Sequence, residues 1–132
     1  MDAATWYQSL IKPSWAPPGN VFGIAWSILY MLIISSFSYA GVLFFQKKIP
    51  FRVFLPFILN LIFNIAFSTL QFNLKNNLFS AIDISLVLVT LVWAMVAIWK
   101  YERVIAYINI PYLLWIIFAV ALQLNITYLN WK

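Results

Sequence analysis

The run "VFGIAWSILYMLIISSFSYAGVLFF", residues 21–45, is strongly apolar and contains no charged side chain. A helix needs about 20 predominantly apolar residues to cross the hydrocarbon core of a bilayer, and this run is long enough to do so. It therefore predicts a membrane-spanning helix.

Outward from this run, three further apolar segments repeat the pattern, at about residues 52–73, 78–99 and 104–128. Short polar connections separate the four segments, with the sequences "QKKIPFR", "LKNN" and "KYER". Of the 132 residues, 65% are hydrophobic and 8% are charged, whereas soluble domains carry roughly a quarter charged residues. The sequence thus predicts an all-α, multi-pass integral membrane protein with one domain over residues 1–132 and four visible transmembrane helices.

The residue types that are missing exclude several kinds of chemistry. The sequence has no histidine and no cysteine, which removes the usual general base, the usual metal ligands and any disulfide. The only acids are Asp2, Asp83 and Glu102, and they are too scattered in sequence to indicate a catalytic pair. We therefore predict no metal site and no hydrolytic machinery.

Basic residues lie in short clusters between the apolar segments and give a net charge of +5. This arrangement favours membrane topology and lipid headgroups over nucleic acid as the reason for the charge. The first and third connections are the more basic, which predicts that they face the cytoplasm. They hold Lys47, Lys48, Arg52, Lys100 and Arg103.

Polar residues recur within the second segment at helical spacing: Asn60, Asn64, Ser68 and Gln71 follow one another at intervals of four, four and three. That spacing places them on one helical face. A carboxamide that faced lipid would leave its donors unsatisfied, so this face should point into the bundle. It could make interhelical hydrogen bonds or line a ligand cavity, and the pattern alone favours neither.

Aromatic residues inside the first and fourth segments also share faces. Trp26 and Tyr30 lie on one face of the first segment, and Tyr112, Trp115 and Ala119 lie on one face of the fourth. Ordinary packing explains each of them singly. Together with the polar face they could form a flat apolar slot for a planar aromatic or sterol-like ligand.

The stretch "WYQSLIKPSWAPPGNVFGIAWSILY", residues 6–30, closely resembles the signature of the TspO/MBR family, which includes tryptophan-rich sensory proteins, translocator protein and the peripheral benzodiazepine receptor. The likeness continues through "FNIAFSTLQF" (residues 63–72) and "PYLLWIIFAVALQLNITYLN" (residues 111–130), so it covers nearly the whole chain. The family pattern has five spans, the first of them before Trp6. Only residues 1–5 precede Trp6 here, so we expect four.

The resemblance implies a tight bundle, expected to be a homodimer, with a lid loop over residues 6–20 closing one mouth of a pocket. Family ligands are porphyrins, sterols and benzodiazepine-type molecules. The resemblance implies no required cofactor, so a porphyrin or haem would bind as a ligand. The ligand-binding residues that the resemblance implies are Tyr7 and Pro17 in the lid, with Trp26, Asn64, Phe67, Gln71, Trp115 and Ala119 in the helices. Tyr30 joins them because it shares a face with Trp26. A weaker sterol-contact pattern is met by Leu124, Tyr128 and Lys132.

Three functions are compatible with these observations. The first is a membrane binding protein or sensor for porphyrin-like or sterol-like ligands, with or without transport. The second is an enzyme that degrades porphyrin oxidatively in light, with Trp26 and Trp115 as its catalytic residues. The third is a four-helix drug exporter, which ranks lowest because that class needs an acid deep in its first helix and residues 21–45 contain none.

Overall fold

The computed structural model describes Leu10 and residues 19–68 and 77–130. These ranges are built from helices joined by short turns, and no strand occurs within them. In chain order the helices are α1 (Gly19–Phe45), α2 (Phe51–Ser68), α3 (Asn77–Ile98), α4 (Arg103–Ile108) and α5 (Ile110–Leu129).

Three of these helices, α1, α3 and α5, are long and apolar enough to cross a membrane, and α2 is a shorter apolar helix over Phe51–Phe67. Pro56 lies inside α2 and, lacking an N–H, cannot donate the helical hydrogen bond to the residue four positions before it. The all-α membrane bundle with four candidate spans is therefore confirmed. The predicted end of the second segment, at residues 69–73, lies outside the described residues.

The fourth segment, predicted as one helix over 104–128, is interrupted at Asn109. Pro111 follows at the start of α5 and has no N–H to continue the helical hydrogen-bond ladder. At the interruption the Asn109 side chain donates through its Nδ2 to the Ile105 carbonyl at 2.8 Å and to Ser36 Oγ at 3.1 Å. The buried Asn109 thus links the break between α4 and α5 to α1 by a hydrogen bond.

The core is formed mainly where α3 packs between α2 and α5. Five apolar side chains of α3 are fully buried there: Ile84, Val87, Leu91, Ala94 and Ile98. Large apolar side chains also point outward on every span, as Met31 (69% exposed) and Val96 (67%) illustrate. Such a surface suits hydrocarbon rather than water, and the chain is an integral, multi-pass membrane protein.

The α1–α2 and α3–α4 connections lie at the same end of the bundle. Tyr39 Oη donates a hydrogen bond to Glu102 Oε2 at 2.8 Å, and Arg52 Nη2 makes a longer one to the Tyr101 hydroxyl at 3.5 Å. The basic residues of both connections are therefore gathered at one end, which we call the basic end. The N-terminal part of α1 and the C-terminal part of α5 lie toward the other end.

Candidate ligand site

A chain of buried hydrogen bonds crosses the middle of the bundle. Tyr30 Oη on α1 donates to Asn64 Oδ1 on α2 at 2.8 Å, and Asn64 Nδ2 donates to the Tyr112 hydroxyl on α5 at 2.7 Å. Tyr112 in turn donates to Asn60 Oδ1 at 2.9 Å. Asn60 Nδ2 completes the chain by donating to the Val87 carbonyl on α3 at 2.8 Å and to Thr90 Oγ1 at 3.1 Å.

This network confirms that Asn60 and Asn64 face the interior, since they are 0% and 3% exposed. Both amides make interhelical hydrogen bonds, which is one of the two roles that the spacing allowed. The network also orients Tyr30, whose half-buried ring lies at the edge of the core. The Tyr30 hydroxyl donates its hydrogen bond to Asn64, and its oxygen can still accept a hydrogen bond from another group.

An aromatic cluster lies next to this network. The ring centroids of Trp26 and Tyr30 are 5.5 Å apart, and those of Trp26 and Trp115 are 6.4 Å apart at an interplanar angle of 86°. Phe118 extends the cluster, with its centroid 5.4 Å from that of Trp115. The two indoles meet edge to face, so together they form an apolar corner rather than a parallel-sided slot.

Trp115 also borders a groove on the outside of the bundle. The groove has a volume of about 540 Å³, lies between α1 and α5, and is lined by apolar side chains such as Leu29, Leu114 and Phe118. The cluster therefore contacts the buried amides on one side and a lipid-facing groove on the other. A flat apolar molecule could reach Trp115 from the bilayer.

The remaining predicted residues have different positions. Phe67 is half-buried and Ala119 is 9% exposed, and both belong to the apolar core. Tyr7, Pro17 and Gln71 lie outside the described residues, as does most of the predicted lid over 6–20. The structure therefore brings together Trp26, Tyr30, Asn64 and Trp115.

The predicted sterol-contact residues lie on a separate surface. Leu124 is 51% exposed and Tyr128 is 80% exposed on α5, and Lys132 lies outside the described residues. Leu124 and Tyr128 line a groove of about 520 Å³ between α3 and α5, together with residues such as Ile82 and Leu86. This surface faces lipid and does not contact the Trp26–Trp115 cluster.

Sequence reasoning missed the central role of Tyr112. This side chain is fully buried and its hydroxyl joins both asparagines of α2, whereas its position in the sequence indicates only that it shares a face with Trp115. The available signal was a tyrosine within the fourth apolar segment, since a buried phenol needs a hydrogen-bond partner. Asp83 on α3 is also buried, and its Oδ2 has no hydrogen-bond donor within the described ranges.

The candidate site combines aromatic faces with a few fixed polar atoms. It presents two indoles, a phenol oxygen and buried amides, and no group of three potential metal-ligating acids, histidines or cysteines occurs among residues that the structure describes. The fold and the site thus define a multi-pass helical membrane protein with a tryptophan-rich site. The TspO/MBR family model matches residues 1–129, and the chain belongs to that family.

Several proteins are similar to this one over almost the whole chain. The tryptophan-rich protein TspO of Bacillus cereus is 40% identical over 129 residues, which cover 96% of this chain and 77% of the relative. An uncharacterized membrane protein of Bacillus subtilis, YtaB, is 38% identical over 127 residues, covering 95% of this chain and 80% of the relative. A tryptophan-rich sensory protein of Cereibacter sphaeroides is 29% identical over 132 residues, covering 96% and 78% respectively.

Proposed function

We propose that this protein is a membrane-embedded binding protein and sensor for flat, apolar ligands of the porphyrin or sterol-like type. The observation that carries the proposal is the contact between Trp26 and Trp115, with Tyr30 beside them hydrogen-bonded to the buried Asn64. Rigid aromatic faces supply apolar contact area, and a few fixed polar atoms orient the ligand. Benzodiazepine-type molecules share this chemistry and are included.

In this proposal the ligand lies against the apolar corner formed by the two indoles. The Tyr30 oxygen accepts a hydrogen bond from a ligand N–H or O–H, while Asn64 holds the phenol in place from behind. Trp115 lines the groove to the bilayer, so an apolar ligand enters from lipid rather than from water. Phe67, Gln71 and Ala119, with the lid residues Tyr7 and Pro17, complete the proposed binding set.

The matched test is a series of tryptophan-to-phenylalanine variants. Trp26→Phe and Trp115→Phe keep an aromatic ring but lose the indole N–H and part of the contact area. Each should weaken binding of protoporphyrin several-fold while leaving the helical fold intact, because the smaller ring offers less apolar contact area to the ligand. Trp93→Phe is the control, because Trp93 is 42% exposed on α3 and lies outside the cluster.

Ligand titrations by tryptophan fluorescence, with thermal unfolding of each variant in the same detergent, would separate binding from packing. If the two site variants lose thermal stability but keep the wild-type affinity, the indoles serve packing and the proposal is wrong. If Trp93→Phe weakens binding equally, the site is elsewhere.

The metal content of the porphyrin should matter little. Histidine and cysteine are absent from the sequence, so a bound haem has no strong protein axial ligand of the usual kind. Metal-free protoporphyrin should therefore bind about as tightly as haem, as measured by parallel absorbance titrations. A low-spin haem spectrum, or a haem affinity far above that of protoporphyrin, would contradict a site built on aromatic contacts.

A second candidate function, oxidative breakdown of porphyrin in light, is favoured by the same contact between Trp26 and Trp115. Both indoles would lie against one ligand, where an indole and an excited porphyrin could exchange an electron, with dioxygen as the oxidant that the breakdown consumes. Illuminated protein with bound protoporphyrin should then form a new chromophore, and the two variants should form it far more slowly at saturating ligand. Equal bleaching in wild type, variants and plain detergent would leave binding as the function.

We also propose that a sterol contacts the groove at Leu124 and Tyr128. A photoreactive sterol should label α5 near Tyr128. Tyr128→Ala should reduce this labelling, whereas Tyr107→Ala, which changes an exposed tyrosine on α4, should not. Labelling that is unchanged in Tyr128→Ala would refute this proposal.

We propose, further, that the protein acts as a homodimer. Crosslinking in native membranes should trap a dimer. Finding only the monomer in membranes would refute this proposal.

A further inference from the structure

A recess at the basic end combines positive charge with aromatic rings. It has a volume of about 630 Å³ and is lined by Lys47 and Lys48 together with Phe44, Phe45 and Phe51, among others. We call it the basic recess. It lies where α1 ends and α2 begins, at the depth at which a spanning helix reaches the lipid headgroups.

An apolar groove continues from the basic recess along the outside of α1 and α2. The groove has a volume of about 460 Å³, and Gly41, Val42, Phe54 and Leu61 are among its lining residues. Phe45 lines both the groove and the basic recess, so the two spaces adjoin. At Gly41 the absence of a side chain keeps the groove open toward the ring of Phe54, whose nearest atom lies 3.6 Å from the position of an added Cβ.

The two lysines are held in place by the backbone at the end of α1. The Lys48 N–H donates to the Leu43 carbonyl at 2.8 Å and the Lys47 N–H donates to the Phe44 carbonyl at 2.9 Å, which is the hydrogen-bond pattern of a Schellman motif. Lys47 occupies the left-handed position of this motif, with φ of 61°, where glycine is the usual residue. A lysine here presents charge at a position whose backbone geometry favours glycine.

The charges of Lys47 and Lys48 are not neutralised within the described part of the chain. Glu102, the carboxylate at this end, accepts instead from Tyr39 Oη and from the Val104 N–H. Other cations at the same end have contacts of their own, because Arg103 lies 4.9 Å from the ring centroid of Trp99 and Arg52 contacts Tyr101. Both lysines are exposed and available to an external anion.

We infer that the basic recess and the adjoining groove form one binding site for an anionic phospholipid. The phosphate of the headgroup lies between Lys47 and Lys48, the aromatic rings of the recess contact the glycerol region, and an acyl chain lies in the groove beside Gly41. Charge complementarity selects an anionic headgroup, and the apolar continuation selects a lipid over a soluble phosphate. Juxtamembrane lysines attract anionic lipid in this way.

The test measures lipid preference on the full-length protein, delipidated in detergent and supplied with phosphatidylglycerol or phosphatidylcholine. Native mass spectrometry should show phosphatidylglycerol bound in preference. Lys47→Gln and Lys48→Gln should each reduce that preference about fivefold, and the double variant should nearly abolish it. Lys100→Gln is the matched control, since Lys100 is an exposed lysine at the same end but does not line the recess.

Two further measurements test the apolar part of the site. Ser38→Phe should fill the groove from an exposed position on α1 and reduce phosphatidylglycerol binding several-fold, with both lysines unchanged. Glycerol phosphate, which carries the anionic group without acyl chains, should fail to compete at millimolar concentration. If glycerol phosphate competes, the recess binds phosphate without needing acyl chains, and the proposal of a lipid site is wrong. Equal binding of the two phospholipids, or an equal loss in Lys100→Gln, would overturn the proposal.

Discussion

Helices α1 and α3 are both long apolar spans, but they are held in the bundle in different ways. Helix α3 lies between α2 and α5 and buries Val87, Leu91 and Ala94 completely. Helix α1 packs less closely against its neighbours and joins them by hydrogen bonds at three levels. These bonds run from Tyr30 to Asn64, from Asn109 to Ser36, and from Tyr39 to Glu102.

The difference matters because lipid changes which interactions hold helices together. Apolar burial gives little driving force between helices in hydrocarbon, so close packing and interhelical hydrogen bonds decide stability. Helix α3 depends on the former and α1 depends more on the latter. The proposed ligand site has two of its aromatic residues, Trp26 and Tyr30, on the less closely packed helix. We therefore expect ligand binding at these residues to leave the contact between α2 and α3 undisturbed.

The largest effect on stability should come from a cavity beside α3. Leu91→Ala removes a fully buried side chain from the closely packed centre and should lower the free energy of unfolding by about 2–4 kcal/mol. Unfolding by sodium dodecyl sulfate, followed by circular dichroism, measures this loss. Leu86→Ala on the same helix is the control, because Leu86 is 39% exposed and its truncation leaves no enclosed void. Equal losses in both variants would show that α3 is not the packed centre.

A smaller loss should follow when the polar link to α1 is removed. Asn64→Leu leaves the Tyr30 proton without its acceptor and the Tyr112 oxygen without a donor. Interhelical hydrogen bonds in membranes contribute about 0.6 kcal/mol on average and at most about 1.7, so the two together should cost about 1–2 kcal/mol. Protoporphyrin affinity should fall as well, since Tyr30 loses its orientation.

Asn125→Leu provides the matched control for that variant. Asn125 is exposed, and its Nδ2 bonds only within its own helix, to the Ala121 carbonyl at 2.8 Å. It should change neither stability nor affinity appreciably. If Asn64→Leu destabilises the protein but leaves affinity unchanged, the amide serves helix packing alone and has no part in the ligand site.

The sequence was sufficient to predict the class of fold, because uncharged apolar length identifies a span whatever its neighbours are. It was also sufficient to predict that Asn60 and Asn64 face the interior, because a carboxamide in hydrocarbon has to find partners on other helices. Those inferences depend on the bilayer as solvent and not on the packing arrangement of this particular bundle.

The partners of the buried polar groups could not be predicted in the same way. Whether Asn64 meets Tyr112 or a ligand depends on how α5 is rotated and translated against α2, and helical periodicity does not encode that register. The interruption at Asn109 escaped prediction because Pro111 alone is compatible with a helix start or a kink. Its buried contact with Ser36, 73 positions away in sequence, is visible only in three dimensions.

The smallest effect is expected where α1 ends. Tyr39→Phe removes the hydrogen bond to Glu102, but both groups lie at the basic end, where water and headgroups offer other partners. The midpoint of detergent-induced unfolding should therefore stay at the wild-type value, while amide hydrogen exchange in the last turn of α1, near Phe45, becomes faster. Glu102→Gln should leave amide hydrogen exchange in that turn unchanged, because the new amide oxygen can still accept a hydrogen bond from Tyr39. If Tyr39→Phe instead lowers the midpoint as much as Asn64→Leu does, α1 is anchored at its basic end. The aromatic half of α1, which carries Trp26 and Tyr30, would then be its more weakly held part.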